Sequence, residues 1–391
     1  MEEILYRYNP WWEGKIELED VFERPSVLVL LKKRFPSKEI LFLTGLRRVG
    51  KTTLLKLFIR HLIEIEKISP KHIFYISLDD YLVAKKSILE IVEEYRKVHK
   101  IRFREKIYLF LDEIAYQEHF ELQLKNLYDS QNVKIYASSS STSVLKSKKP
   151  YLTGRSTIIN VLPLDFQEYL EFKKIAIGKS DSLLQEKYFE EYLNTGGLPE
   201  YVLRSDIAYL KELVDDIIYK DIAAVHNIKQ PQILKDFFML LMERAGKVAS
   251  INKMAHILRI SPDTAKRYLE MFADTHLIYL LPRCGKTNEK IMSPKKVYAA
   301  DLGIRTIFTE FRDKGSLFEN YVYLKIKERN PCYVYQDGTE IDFLTDDRVL
   351  IEVKYQSNPT KKQSVLFEKF GARKKVIIRN IYDLKDIPTS A

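Results

Sequence analysis

Cysteine is nearly absent: the 391 residues hold two, Cys284 and Cys332, beside seven histidines. The two cysteines are not spaced as metal ligands, and no H-x-x-x-H or H-E-x-x-H pair occurs, which argues against a zinc centre. So few cysteines lead to the expectation of a reducing, cytosolic compartment. No run of about 18 apolar residues exists, so no membrane-spanning helix is expected. The first residues lack the apolar core of a secretion signal, and a soluble, intracellular protein is expected. Internal repeats and long low-complexity stretches are absent too. What is abundant is Lys, Glu, Ile and Tyr, a balance common in heat-adapted proteins. Lys and Arg number 64 against 54 Asp and Glu, a net charge of +10. That permits a polyanionic partner, and equally a solvated lysine-rich surface. The length suits two or three domains, and 46% hydrophobic residues let each bury a core.

The most informative stretch is residues 39–53. An apolar run, Ile40–Leu43, stops at Gly45, and after Gly50, Lys51 and Thr52 an amphipathic run begins at Leu54. Strand, glycine loop and helix thus carry G-x-x-x-x-G-K-[ST]. Glycines let backbone N–H groups fold round phosphate oxygens, Lys51 reaches the β- and γ-phosphates, and Thr52 offers a hydroxyl to Mg²⁺. The loop residues Arg48, Val49 and Thr53 belong to the same cradle, and the helix N-terminus adds positive potential.

Further apolar runs at 73–78, 107–111, 133–137 and 157–162 alternate with helical patterns near 54–65, 87–99 and 118–130. Continuous apolar strands separated by helices predict a parallel sheet covered on both faces, an α/β fold. The third run ends in Asp112-Glu113. A buried strand ends in two carboxylates where they meet charge or solvent. Asp112 suits a hold on Mg²⁺, and Glu113 can polarise a water for attack on a γ-phosphate. The next strand ends in Ser138-Ser139-Ser140-Ser141-Thr142, where one serine would orient that water or simply sit in a polar loop. Arg155, after Gly154, is either a clamp for phosphoryl charge approaching the phosphates or a structural arginine. Trp11 and Trp12 read as packing anchors, with stacking on a nucleotide base as the other reading.

From 165 to 245 the pattern is helical, broken at Gly196-Gly197-Leu198-Pro199, with Phe166, Tyr169, Leu170 and Phe172 at helical spacing. Residues 246–300 predict a short helix, a second helix started by Ser261-Pro262 and carrying Lys266 and Arg267, and two strands joined by a basic hairpin with Arg283, Lys286, Lys290 and Lys295. Helix, turn, helix and wing would suit DNA or, equally, a protein contact. In the last segment a helix from Gly315 brings Glu319, a hairpin brings Asp342, and a strand places Glu352 and Lys354 on one face. Converging carboxylates beside a lysine would hold Mg²⁺ or Mn²⁺ against a phosphodiester; a solvated Glu–Lys strand face is the simpler alternative. Lys361, Lys362, Arg373, Lys374 and Lys375 add a basic surface.

Four blocks, at 45–55, 110–114, 196–200 and 315–355, resemble the prokaryotic and archaeal AAA+ ATPases that end in a restriction-endonuclease-like domain. The resemblance implies a P-loop AAA+ sheet with its lead-in (1–164), a helical lid (165–245), a winged helix (246–300) and an α/β nuclease-like domain (301–391). It implies ATP and Mg²⁺, phosphate binding at Lys51 and Thr52, metal at Asp112, water activation at Glu113, a sensor in the serine block with Ser138 foremost, and Arg155 in a Gly-Arg motif. It carries the PD-(D/E)XK pattern onto Asp342, Glu352 and Lys354 with Glu319, a possible second Mg²⁺ or Mn²⁺ site, although the usual Pro-Asp is Ile341-Asp342 here. The function expected is an ATP-driven switch or motor on DNA, with a homo-oligomer as one candidate assembly; the alternatives are an ATP-regulated nuclease and an ATP-gated protein-interaction module.

Overall fold

The computed structural model describes residues 1–14, 21–141, 149–178 and 181–387. The chain forms two compact units, Met1–Val161 and Leu162–Ala391.

The first unit is built on five parallel strands: β1 (Ile40–Thr44), β2 (Ile73–Ser77), β3 (Ile107–Asp112), β4 (Val133–Ser139) and β5 (Ser156–Asn160), in spatial order β2-β3-β4-β1-β5. The apolar runs are continuous because both faces are covered, and β1, β3 and β4 are buried along their whole length. Helices Lys51–Glu64, Ile88–His99 and Phe120–Ser130 lie where the periodicity places them. The parallel α/β expectation is met. β1 sits inside the sheet, between the late strands β4 and β5, and such a reversal of strand order opens a crevice at the C-terminal strand ends.

Trp11 and Trp12 are packing anchors. Both indole Nε1–H groups donate to the Ile73 carbonyl, at 3.2 and 2.9 Å, and the Trp12 ring stacks on Tyr95 with centroids 5.6 Å apart. The Asn9 side chain pairs with the backbone of Tyr75 on both sides, donating to its carbonyl (2.9 Å) and accepting from its N–H (2.7 Å). It thereby covers part of the open edge of β2.

The second unit begins with helices Phe166–Phe172, Ser182–Thr195, Pro199–Arg204, Ile207–Asp216 and Pro231–Glu243. Phe166, Tyr169 and Leu170 are buried, as their spacing predicts. Helices Ile251–Ile257 and Pro262–Asp274 follow, then the antiparallel pair β6 (Ile278–Leu281) and β7 (Lys296–Ala299). Ser261 caps the second helix, its hydroxyl accepting from Thr264 N–H at 3.1 Å with Pro262 in the first turn. The chain ends in a mixed sheet of order β11-β10-β9-β8, from β8 (Cys332–Gln336), β9 (Thr339–Leu344), β10 (Val349–Val353) and β11 (Lys374–Ile378). Its β8–β9 and β9–β10 pairs are antiparallel and its β10–β11 pair is parallel.

The break at Gly196-Gly197 has a tertiary cause. Asp301, 1% exposed, accepts from Gly197 N–H at 2.7 Å and from Ile304 N–H at 3.1 Å. A Cβ on Gly197 would lie 2.0 Å from the Leu164 carbonyl oxygen, and one on Gly303 would lie 2.1 Å from that of Thr195. Three glycines therefore let two turns close on one buried carboxylate.

The cysteine expectation is corrected. Cys284 and Cys332 form a disulfide with Cα atoms 5.0 Å apart, so the low count does not signal a reducing compartment. Their separation of 48 positions gives no hint of this. Cys284 N–H donates to the Tyr333 carbonyl at 2.7 Å, and that backbone pairing is what brings the two positions together. No helix among the described residues is long and apolar enough to cross a membrane.

Candidate functional site

The glycine loop lies between β1 and the helix Lys51–Glu64. Gly45 has φ +152°, and a Cβ there would sit 2.1 Å from the Val161 carbonyl oxygen; Gly50 opens the helix at φ +92°. These two positions need glycine for different reasons, close backbone approach and a left-handed turn. Arg48 takes φ +68° inside the loop, and the Val49 carbonyl accepts from Arg24 Nη1 at 3.4 Å. Lys51, 5% exposed, curls its ammonium onto the carbonyls of Gly45 (3.0 Å) and Leu46 (3.1 Å). The ammonium is thus held over the loop. Thr52 and Thr53 occupy the first helical turn, where N–H groups have no acceptor one turn back.

From across the sheet β3 delivers Asp112. The Thr52 hydroxyl donates to Asp112 Oδ2 at 2.6 Å, and the Tyr75 hydroxyl donates to the same oxygen at 2.8 Å. Ser138, one residue past the Leu111–Ala137 pair of β3 and β4, donates to Asp112 Oδ1. It also accepts from Glu113 N–H at 3.0 Å. Glu113 leaves the strand with φ +50°, and its Oε2 accepts from Ser140 N–H (3.3 Å) and Ser140 Oγ (3.2 Å). Burial, above all, pushes the Glu113 carboxyl above its ordinary range; Lys51 pulls it down and Asp112 pushes it up. A carboxylate held in this way gains basicity toward a water.

Within the serine block the structure divides the work. Ser138 reaches Asp112, Ser140 reaches Glu113, and Ser139 Oγ donates to the Ser141 carbonyl. Thr142 lies outside the described residues. Tyr75 was not singled out by sequence, its position on the strand beside Asp112 being the available signal, whereas Ser140 belonged to the serine block whose members the sequence left unranked. A hydroxyl and a carboxylate already at hydrogen-bond distance are the hard oxygen donors Mg²⁺ takes, with nucleotide phosphate completing its shell. The donor set fits that ion.

Arg155 is not brought to this loop. Its carbonyl accepts from the N–H of Ile40, the first residue of β1, at 2.7 Å, whereas the loop follows the last. The two ends of the strand are about 13 Å apart. Its guanidinium binds Asp129 through Nε–Oδ1 at 3.1 Å and Nη2–Oδ2 at 3.3 Å. Of the readings left open for Arg155, the clamp on the phosphates of its own loop is not the one its position suits: in parallel strands, a residue before β5 and a loop after β1 lie at opposite edges.

In the second unit, Glu319, Asp342, Glu352 and Lys354 do converge. Asp342 N–H donates to Glu352 Oε2 at 3.3 Å, and Lys354 Nζ lies 2.6 Å from Glu352 Oε1. Burial first, and the Asp342 charge second, push Glu319 up to about 7 and Glu352 up to about 8. Burial pulls Lys354 down, but Asp342 and Glu352 prevail and raise it. The residue that sequence reasoning missed is Lys296, whose ammonium contacts Glu319, Glu340 and Asp342 at 2.7, 2.8 and 3.3 Å. The sequence shows it only as the first residue of the strand that follows the basic hairpin, with no sign of the carboxylates it meets. The carboxylates of this cluster are engaged by two ammonium groups, Lys296 and Lys354. No group of three or more His, Cys, Asp or Glu among the described residues is arranged to hold a metal.

Comparison with known proteins agrees with the first unit and leaves the second unnamed. Residues 37–170 match the model of the AAA domain, and residues 186–315 and 314–386 match two domains of unknown function. An uncharacterized protein of Methanocaldococcus jannaschii, MJ1544, is 31% identical over 354 residues, covering 85% of this chain and 78% of the relative. A second from the same organism, MJ1637, is 28% identical over 386 residues, covering 87% of this chain and 80% of the relative. Among solved structures, the Walker-type ATPase PABY2304 of Pyrococcus abyssi matches with a TM-score of 0.47 at 15% identity, over 75% of this chain and 98% of that one.

Proposed function

The chain belongs to the family of its Methanocaldococcus relative and carries an AAA domain of ATPase type, and from that premise we propose a switch driven by ATP hydrolysis and acting on DNA. The observation that carries the reading is the continuous chain of contacts from Thr52 through Asp112 and Ser138 to Glu113. Lys51 and the loop N–H groups bind the phosphates. Thr52 and Asp112 hold Mg²⁺, which supplies Lewis-acid stabilisation of phosphoryl charge when bound. Glu113 takes the proton of the attacking water, and Ser138 fixes the angle between the two carboxylates.

Two features support DNA as the partner. Lys266 and Arg267 are exposed on the helix Pro262–Asp274, and Lys286, Lys290 and Lys295 are exposed between β6 and β7. This suits a winged helix, with the helix in the major groove and the hairpin on the backbone. The mixed terminal sheet and its Asp342, Glu352 and Lys354 suit a restriction-endonuclease-like domain. Arg155, remote from its own loop, is proposed to complete the site of a neighbouring copy. Mixing Lys51→Ala with Arg155→Ala chains, each inactive alone, then restores turnover.

The deciding experiment is nucleotide binding and phosphate release. Lys51→Ala loses ATP binding; Glu113→Gln binds ATP and turns it over roughly a hundred- to ten-thousand-fold more slowly. Wild-type turnover in both variants defeats the assignment. Duplex-DNA affinity should fall with salt and weaken in Lys266→Glu/Arg267→Glu; salt-independent or absent binding favours a protein partner.

A further inference from the structure

Lys296 opens β7 and is 1% exposed. An ammonium has three N–H donors and no acceptor. Those three donors meet Glu319 Oε1, Glu340 Oε1 and Asp342 Oδ1 at 2.7, 2.8 and 3.3 Å. The acceptors are spoken for as well. Glu319 Oε1 also takes the Tyr298 hydroxyl at 2.6 Å, and Asp342 Oδ2 takes Val353 N–H at 2.9 Å. Glu352 is shared between Lys354 and Asp342 N–H.

The backbone holds Lys296 in this place. It pairs with Leu281 of β6 on one side and bridges to Val248 on the other, and the neighbouring Gly246 N–H donates to Val297 O at 2.7 Å. The ammonium therefore arrives on a pinned strand. A divalent ion needs oxygen ligands at about 2.0–2.6 Å with little positive charge alongside. Here it would have to displace a buried ammonium from its carboxylates, leaving that charge buried and unpaired, which is strongly unfavourable.

We propose that Lys296 is the resident cation of this carboxylate cluster, standing where phosphodiester cleavage would require a metal. The domain is then a lysine-locked relative of a nuclease: it keeps the acidic constellation, holds the β6–β7 hairpin to the terminal sheet through it, and does not cut. This reading is independent of ATP use, so failure of the ATPase assignment leaves it standing.

The test is Mn²⁺ binding to the full chain, by calorimetry and electron paramagnetic resonance, with Asp342→Asn separating this cluster from the nucleotide site. Wild type and Asp342→Asn should bind the same number of Mn²⁺ ions. Lys296→Met should bind one more, lost again in Lys296→Met/Asp342→Asn, while Lys296→Arg stays like wild type. Plasmid DNA should stay uncut by wild type in Mg²⁺ or Mn²⁺. If Lys296→Met does not fold, wild type against Asp342→Asn still decides, with Glu319→Gln as a second carboxylate variant. Loss of an ion in Asp342→Asn or Glu319→Gln, Asp342-dependent cleavage by wild type, or a folded Lys296→Met that gains no ion would each overturn the proposal.

Discussion

The Thr52 hydroxyl lies 2.6 Å from Asp112 Oδ2, although 60 positions separate the two residues. One opens a helix after a glycine loop and the other closes a buried strand; the parallel sheet places both at its C-terminal edge. That contact ties phosphate binding to metal binding, and its neighbours show which substitutions should matter.

Ser138 serves both carboxylates, donating to Asp112 and accepting from Glu113 N–H. Ser138→Ala leaves a half-buried N–H and a carboxylate oxygen short of a partner, worth about 1–3 kcal/mol. Turnover should fall roughly ten- to hundredfold while ATP affinity changes little. Steady-state phosphate release beside equilibrium nucleotide binding checks the split.

Gly197→Ala places a Cβ 2.0 Å from a backbone oxygen that has no room to retreat. The expected loss is about 3 kcal/mol or more, with low soluble yield. Gly338→Ala is the control: its φ of +75° is left-handed but nothing lies within 4 Å, so about 1 kcal/mol is expected. Thermal melts of the two variants should differ accordingly.

Asp301 gives the pH dependence a sign. Burial raises its carboxyl from 3.8 to about 6, against the pull of the N–H groups of Gly197, Ile304, Gly303 and Leu198. A folded value above the unfolded one means that its contribution is fully present below about pH 3.8 and is lost as pH rises through 6. The difference corresponds to about 3 kcal/mol. Calorimetric melts from pH 4 to 6.5 should show this falling component in wild type and not in Asp301→Asn.

The Cys284–Cys332 bridge closes a loop across 48 positions. Its reduction, or Cys284→Ser, should destabilise the second unit by about 2–4 kcal/mol. Thiol alkylation of the folded protein should be negligible before reduction and reach both residues after it.

Local chemistry was legible from the chain alone. The runs at Ile40, Ile73, Ile107 and Val133 became strands because continuous apolar residues need cover on both faces. Ser261-Pro262 started a helix because a cap and a proline act within one turn. Gly45, Gly50, Lys51 and Thr52 were readable as a phosphate loop because their roles depend on short spacing. Even the pairing of Asp112 with that loop followed, since a parallel sheet brings strand ends to one edge.

Tertiary structure decided what depends on distant partners. It turned Arg155 toward Asp129 at the opposite strand edge, joined the two cysteines, and closed Gly196-Gly197 on Asp301. It also set Lys296 among Glu319, Glu340 and Asp342, of which sequence reasoning had reserved the first and the last for a metal. The sequence by itself determined which elements form and which residues could carry phosphate chemistry, because backbone propensity and motif spacing act over a few residues. Which charge neutralises which was left to the fold, because Coulomb partners are chosen by proximity in space and by burial, and neither is written in the spacing along the chain.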